Sequence, residues 1–88
     1  MDLCGKTVLV TGGARRIGAA ICESLAARGC SVIVHYRSSV TEADQLAARI
    51  SASGARARTV QADLRTERDC YELFQRAWSL TGVIDCLV

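Results

Sequence analysis

Short apolar segments rich in β-branched residues alternate with amphipathic segments along the chain, and this alternation constrains the fold most strongly. The apolar segments have the length of buried strands, and the amphipathic segments have the apolar spacing of helices. The predicted strands cover residues 7–10, 31–36, 58–62 and 83–88. Each right-handed crossover returns the chain parallel to the preceding strand. The sequence therefore predicts the α/β class, with a doubly wound parallel sheet and the order βαβαβαβ.

Three helices are predicted between these strands, each with an apolar face and a glycine at its end. The expected apolar positions are Ile17, Ala20, Ile21 and Leu25 in the first helix, Ala43, Leu46, Ala47 and Ile50 in the second, and Cys70, Leu73, Phe74 and Ala77 in the third. The expected C-terminal glycines are Gly29, Gly54 and Gly82. The expected N-caps, each with an acidic residue three positions later, are Thr41 with Asp44 and Thr66 with Asp69.

Composition excludes several classes of protein. The 88 residues are 50% hydrophobic and carry a formal net charge of +2, which is an ordinary globular balance and too little charge to indicate nucleic acid. The five cysteines include no CxxC pair and His35 is the only histidine, so we expect no metal site. No apolar run approaches the ~20 residues of a membrane helix, and no secretory signal precedes the first strand. A reduced, cytoplasmic setting fits this pattern.

Residues 11–18, Thr-Gly-Gly-Ala-Arg-Arg-Ile-Gly, form a glycine- and arginine-rich turn between the first strand and the first helix. A strand, a tight turn and a helix in this order aim backbone N–H groups at one point, where an anion can bind. Gly12 is expected to allow the sharp turn and Gly18 to allow close packing of the helix on the sheet. The alternative is a glycine-rich turn without a ligand. The arginine pair, Arg15 and Arg16, favours a phosphate-bearing nucleotide.

The end of the second strand indicates which dinucleotide would bind. NAD sites usually place an acidic residue there to accept hydrogen bonds from the ribose 2′-OH. This chain has Arg37 and Ser38 instead, and no acidic residue before Glu42. Arg37 could pair with a 2′-phosphate through its guanidinium, Ser38 could donate to it, and Arg15 could approach it from the turn. The pattern predicts NADP(H), against the alternative that Arg37 is a solvated residue at a strand end.

These residues resemble the short-chain dehydrogenase/reductase family, whose glycine motif is Thr-Gly-x-x-x-Gly-x-Gly in a Rossmann fold. Arg16 stands at the middle glycine, and together with residues 35–39, His-Tyr-Arg-Ser-Ser, it resembles the pteridine-reductase-like branch. The resemblance implies that Asp63 bonds the adenine amino group and that Leu64 flanks the adenine ring. The implied cofactor-binding residues are Gly12, Arg15, Arg16, Ile17, Gly18, Arg37, Ser38, Asp63 and Leu64.

The family's catalytic residues are absent from these 88 residues. The resemblance implies an Asn-Asn-Ala-Gly segment beyond Val88, followed by a catalytic Ser and a Tyr-x-x-x-Lys pair. Tyr36 is followed four positions later by Val40 and Tyr71 by Gln75, so neither tyrosine has the lysine. We therefore assign no catalytic residue, and we expect His35 to be structural rather than a base.

The sequence is therefore interpreted as residues 1–88 of one NADP-binding Rossmann domain, ending in or just after the fourth strand. The resemblance implies an NADP(H)-dependent oxidoreductase that reduces a carbonyl or a pterin-like substrate and forms a homo-oligomer when full-length. Two alternatives remain: a catalytically silent nucleotide-binding or interaction module, and an inactive fragment. No nucleic-acid or membrane partner is expected.

Overall fold

Strands and helices alternate along the computed structural model, which describes residues 5–88. The elements are β1 (Thr7–Val10), α1 (Arg16–Ala27), β2 (Ser31–Tyr36), α2 (Val40–Ala52), β3 (Ala57–Gln61), α3 (Glu67–Thr81) and β4 (Cys86–Leu87). The four strands are parallel and lie in the order β3-β2-β1-β4. The chain thus reverses its direction of winding after β3, and β4 pairs with the free side of β1. The predicted doubly wound α/β sheet is confirmed.

Helices cover both faces of the sheet, because alternate residues of each strand point to opposite sides. On one face, strand residues pack with α1 and α2 in a cluster that includes Val8, Val10, Cys22, Ala26, Val32, Val34, Ala43, Leu46 and Ile50. On the other face, Leu9, Ile33, Val60 and Ala62 pack with Leu73 and Ala77 of α3. β1 and β2 are buried on both sides, which explains their continuous apolar sequence.

The predicted boundaries of β1 and β2 are confirmed, whereas those of β3 and β4 and the start of α2 differ. The predicted β3 covered residues 58–62, whereas the strand is Ala57–Gln61. The predicted strand over residues 83–88 is shorter: the strand is Cys86–Leu87, which pairs with Val8 and Leu9 of β1. The predicted N-cap at Thr41 is wrong: α2 begins at Val40, and Ser39 is the N-cap without a side-chain bond to the helix.

The apolar faces of two helices also differ from prediction. In α1 the buried residues are Cys22 and Ala26, and Ile17 is exposed, at 77% of its surface. Ala20 is exposed as well. In α3, Leu73 and Ala77 are buried as predicted, whereas Cys70 and Phe74 lie at the surface. The face of α2 is confirmed, with Ala43, Leu46 and Ile50 buried and Ala47 half-buried.

Candidate functional site

The predicted site residues lie at one edge of the sheet, where the carboxyl ends of adjacent parallel strands meet. Residues 11–18 follow β1, Arg37 and Ser38 follow β2, and Asp63 and Leu64 follow β3. Their surface positions are mixed: Gly12, Arg15, Arg16, Ile17, Arg37 and Ser38 are exposed, and Gly18, Asp63 and Leu64 are half-buried. A crevice at the carboxyl ends of the strands, beside the point where strand order reverses, is the usual ligand position in open α/β sheets.

The turn after β1 is fixed by hydrogen bonds to its neighbouring strands. Thr11 N donates to the Val88 carbonyl at 3.0 Å, and Gly13 N donates to the His35 carbonyl at 3.0 Å. Gly12 has a φ of 63°, in the region that favours glycine, and its N–H donates to His35 Nδ1 at 3.0 Å. These three N–H groups are therefore used within the fold, and an anion must be held by groups later in the turn.

The first turn of α1 supplies those groups. The first helical bond at this end is donated by Ala19 N to the Arg15 carbonyl at 3.3 Å, so the N–H groups of Arg16, Ile17 and Gly18 precede the ladder. The N-cap, Arg15, makes no side-chain bond to the helix, and the first turn has no acidic residue. Within residues 5–88 these three N–H groups have no acceptor, and they combine with the positive end of the helix dipole and two arginines to favour a bound anion.

The N-terminus of α3 is built in the opposite way. Its N-cap hydroxyl, on Thr66, accepts from Asp69 N at 3.2 Å, and Asp69 Oδ2 accepts from Thr66 N at 3.1 Å. The predicted capping box is confirmed, and it gives the N–H groups of Thr66 and Asp69 side-chain acceptors, whereas the N-cap of α1 provides no such acceptor.

Two positions of the turn have unusual backbone constraints: Gly18 lies against the backbone of the turn, and Arg16 has a positive φ. A Cβ added at Gly18 would lie 2.3 Å from the Gly12 carbonyl oxygen and 2.8 Å from the Gly13 Cα, so the helix and the turn touch directly. The close approach is thus to the turn itself, not to the sheet as predicted. Arg16 stands at the middle glycine of the motif and keeps a φ of 50°, a conformation that costs an L-residue roughly 1–2 kcal/mol.

One ion pair joins the residue after β2 to the segment after β3, and a second lies within that segment. Asp63 Oδ1 lies 3.4 Å from Arg37 Nε, and Asp63 Oδ2 lies 2.9 Å from Arg65 Nε. The Arg37 side chain is 67% exposed and the Asp63 side chain 38% exposed, so the pair is open to solvent and contributes little to stability. Sequence reasoning missed Arg65; its position two residues after Asp63 was the available signal.

His35 and Cys22 are two buried residues of the site that the sequence analysis did not assign to it. His35 is 6% exposed and its ring contacts both the turn and the end of β3. Cys22 lies behind the turn, where its Sγ donates to the Gly13 carbonyl at 3.6 Å. Burial, with a smaller contribution from the Glu23 charge, raises the pKa of the Cys22 thiol to about 11. The thiol therefore stays protonated at neutral pH and supports the turn as a packed donor.

Other residues considered from the sequence lie outside this site. Tyr71 is 63% exposed on α3 and accepts a hydrogen bond from Gln75. Trp78 contacts Phe74, with ring centroids 5.9 Å apart. Asp85 accepts from Thr7 N at 2.8 Å, and it forms no ion pair with a basic side chain of residues 5–88. Cys4 lies outside the described residues.

Three further observations concern possible sites elsewhere in the described residues. Among residues 5–88, no group of three or more His, Cys, Asp or Glu side chains is placed to hold a metal ion. Within the same range, no helix is long and apolar enough to cross a bilayer. A cleft of about 790 Å³ lies at the opposite, amino edge of the sheet, against Gly29, Ser31, Gly54 and Arg56. This cleft is lined by none of the predicted site residues.

Comparison with known proteins assigns the chain to a family. The family model for short chain dehydrogenase matches residues 6–88, and the chain belongs to this family. A hydroxynaphthalene reductase-like protein, Arp2, from Metarhizium guizhouense is 40% identical over 87 residues, which are 99% of this chain and 33% of that protein. The resemblance of the sequence to the short-chain dehydrogenase/reductase family is thereby confirmed.

Two solved structures share both the fold and a substantial part of the sequence. A putative dehydrogenase from Burkholderia cenocepacia, with bound NADP, is 39% identical with a TM-score of 0.92, over 98% of this chain and 34% of that one. FolM alternative dihydrofolate reductase 1 from Brucella canis, complexed with NADP, is 44% identical with a TM-score of 0.88, over 99% of this chain and 35% of that one. The present chain spans about a third of the length of the curated relatives it matches.

Proposed function

We propose that this chain is the NADP(H)-binding part of a short-chain reductase. The observation that carries the proposal is Arg37 at the carboxyl end of β2, held 3.4 Å from Asp63 at the end of β3. An arginine at this position matches a 2′-phosphate, whereas the ribose 2′-OH of NAD is usually met by an acidic residue. The NADP named in the Burkholderia cenocepacia and Brucella canis structures supports the same cofactor for this chain.

The proposed binding residues divide into three groups. The first turn of α1, from Arg15 to Gly18, would hold the pyrophosphate on its open N–H groups, with Gly12 shaping the approach. Arg37 and Ser38, with Arg15, would bind the 2′-phosphate. Asp63 and Leu64 would bind the adenine, by likeness to the family. Since Arg37 already contacts Asp63 through Nε, its terminal nitrogens remain available to an incoming phosphate.

The reaction that we propose for a protein of the relatives' length is hydride transfer from NADPH to a carbonyl or to a pterin. Two of the similar proteins are named as a hydroxynaphthalene reductase-like protein and as a dihydrofolate reductase, so their names point to different substrates. Within the 88 residues, Lys6 is the only lysine, and it does not follow a tyrosine by four positions. The residues of this chain therefore bind and orient the cofactor. Substrate binding and proton transfer would need groups beyond these 88 residues.

The Arg15→Ala, Arg37→Ala double variant tests the cofactor assignment. In calorimetric titrations, the unmodified chain is expected to bind NADPH at least tenfold more tightly than NADH. The double variant should reduce this preference by about tenfold or more, because charge-assisted hydrogen bonds to phosphate contribute about 1.5–3 kcal/mol each. Binding of NADH should change much less.

Arg56→Ala is the control for loss of a positive charge elsewhere on the chain. Arg56 is exposed at the amino edge of the sheet, where its carbonyl accepts from Val32 N at 2.9 Å. Its replacement removes one positive charge far from the proposed site and should leave the preference for NADPH unchanged. An unchanged preference in the double variant, or an equal loss in Arg56→Ala, would contradict the 2′-phosphate assignment.

A further inference from the structure

The ring of His35 joins the two halves of the proposed cofactor site. His35 lies near the end of β2 and is 6% exposed. Its Nδ1 is 3.0 Å from Gly12 N in the turn after β1, and its Nε2 is 2.9 Å from the Ala62 carbonyl oxygen, one residue before Asp63. A single side chain thus contacts both the phosphate turn and the start of the adenine-side segment.

The two partners fix the protonation state of this ring. Gly12 N–H is a donor, so Nδ1 must accept; the Ala62 carbonyl is an acceptor, so Nε2 must carry the proton. Both requirements are met together by the neutral imidazole with its proton on Nε2. The opposite tautomer would place an N–H against the Gly12 N–H and a lone pair against the Ala62 oxygen, and would lose both bonds.

The contact to Gly12 sets the position of the anion-binding end of α1. Gly12 has a φ of 63°, and its carbonyl oxygen lies where a Cβ on Gly18 would be 2.3 Å away. A shift of Gly12 would therefore move the surface against which the first turn of α1 packs. The His35 carbonyl also accepts from Gly13 N at 3.0 Å, so side chain and backbone of one residue hold two successive N–H groups of the turn.

We infer that His35 is a positioning residue for the dinucleotide, acting through the hydrogen bond that its Nδ1 accepts from Gly12. This inference rests on the proposed function, because the ligand that the turn receives is the phosphate of that cofactor. His35 does not touch the cofactor itself. It holds Gly12 so that the donors of Arg16, Ile17 and Gly18 meet the phosphates without rearrangement, and it uses Ala62 to keep the end of β3 in register with the turn.

Two variants separate the two bonds of the ring. In His35→Asn, the amide oxygen occupies the place of Nδ1 and can accept from Gly12, but nothing reaches the Ala62 carbonyl. In His35→Gln, the longer amide donates in the place of Nε2 and leaves Gly12 without its acceptor. Each variant loses one of the two bonds, so the two are matched for stability, which thermal unfolding checks.

Calorimetric titration with NADPH is expected to give an affinity within about threefold of the unmodified chain for His35→Asn. The affinity of His35→Gln should be about tenfold weaker, as for the loss of one partly buried hydrogen bond. Equal affinities for the two variants, whether both reduced or both unchanged, would overturn the inference. Failure of the unmodified chain to bind NADPH would instead overturn the proposed function.

Two NMR measurements need no cofactor. Because His35 is the only histidine, its ring ¹⁵N signals are unambiguous, and they should show a proton on Nε2 and none on Nδ1. Hydrogen exchange at the Gly12 amide should be slow in the unmodified chain and in His35→Asn, and at least tenfold faster in His35→Gln. A proton on Nδ1, or equal Gly12 exchange in all three proteins, would overturn the positioning role.

Discussion

Gly18 is the residue at which the turn and the first helix come closest. An added Cβ would lie 2.3 Å from the Gly12 carbonyl oxygen, a distance that real Cβ atoms do not tolerate. The nearest atoms all belong to the backbone of Gly12 and Gly13, so the contact could not be relieved by a change of side-chain rotamer. Gly18 is therefore required because a side chain would collide with the turn. Gly12 is required for a different reason, since its φ of 63° lies in the region that favours glycine.

Gly18→Ala is expected to lower the free energy of unfolding by about 1–3 kcal/mol, as for an overpacked site, and to weaken NADPH binding by tenfold or more. Urea unfolding and calorimetric titration measure the two effects. Ala20→Leu is the control, because it adds more atoms at an exposed position of the same helix and should change stability by less than about 0.5 kcal/mol. Helix propensity alone would make Gly18→Ala about 1 kcal/mol more stable, and that result would contradict the contact.

The residues that the sequence identifies are those whose chemistry is visible within one turn or at one strand end. The arginines of the turn, the arginine after β2 and the carboxylate after β3 fall into this group. His35, Gly13 and Cys22 were not assigned to the site, because their roles arise from contacts between segments 9 to 27 residues apart. A lone histidine in an apolar strand indicates a structural role. Only the fold shows that its ring supports the turn after β1, by accepting a hydrogen bond from Gly12 N.

At the scale of helices, the N-termini of α2 and α3 differ in how their first N–H groups are satisfied. Thr66 and Asp69 form a reciprocal capping box at α3. At α2, Ser39 makes no side-chain bond to the helix, although Glu42 in the first turn complements the helix dipole. Both N-caps therefore carry a hydroxyl group, but only that of Thr66 accepts a hydrogen bond from its helix.

Thr66→Ala should lower the free energy of unfolding by about 1 kcal/mol, the usual effect of removing an N-cap side chain. Ser39→Ala should change it by only a few tenths, since no capping bond is lost. Urea unfolding of the two variants beside the unmodified chain makes the comparison. Equal losses for both substitutions would show that the capping box does not contribute as its geometry indicates.

The errors in the predicted elements have physical causes. Residues 17–27 contain several alanines and few large apolar side chains, so helical spacing alone does not distinguish one face from the adjacent one. The buried face of α1 is centred on Cys22 and Ala26, one position beyond the predicted stripe. Ile17 is exposed because the first turn of α1 lies at the open edge of the sheet, where the cofactor is proposed to bind.

At the scale of the whole molecule, topology brings the site together. Parallel strands in the order β3-β2-β1-β4 place the ends of β1, β2 and β3 side by side, so residues 12, 37 and 63 meet at one edge. The sequence predicted the parallel, doubly wound sheet from the alternation of strands and helices and the handedness of their crossovers. It could not predict the extent of β4, because the pairing of Cys86–Leu87 with β1 depends on register rather than on apolar content.

The most direct test of the central claim is an NMR titration of the ¹⁵N-labelled chain with NADPH and with NADH. We predict that NADPH shifts the amide signals of residues 12–18, 37–38 and 63–64, and that it does so at concentrations at least tenfold lower than NADH. Signals of Gly29, Ser31, Gly54 and Arg56, which line the cleft at the amino edge of the sheet, should stay in place. Shifts confined to that cleft, or equal concentration dependence for the two cofactors, would contradict the account.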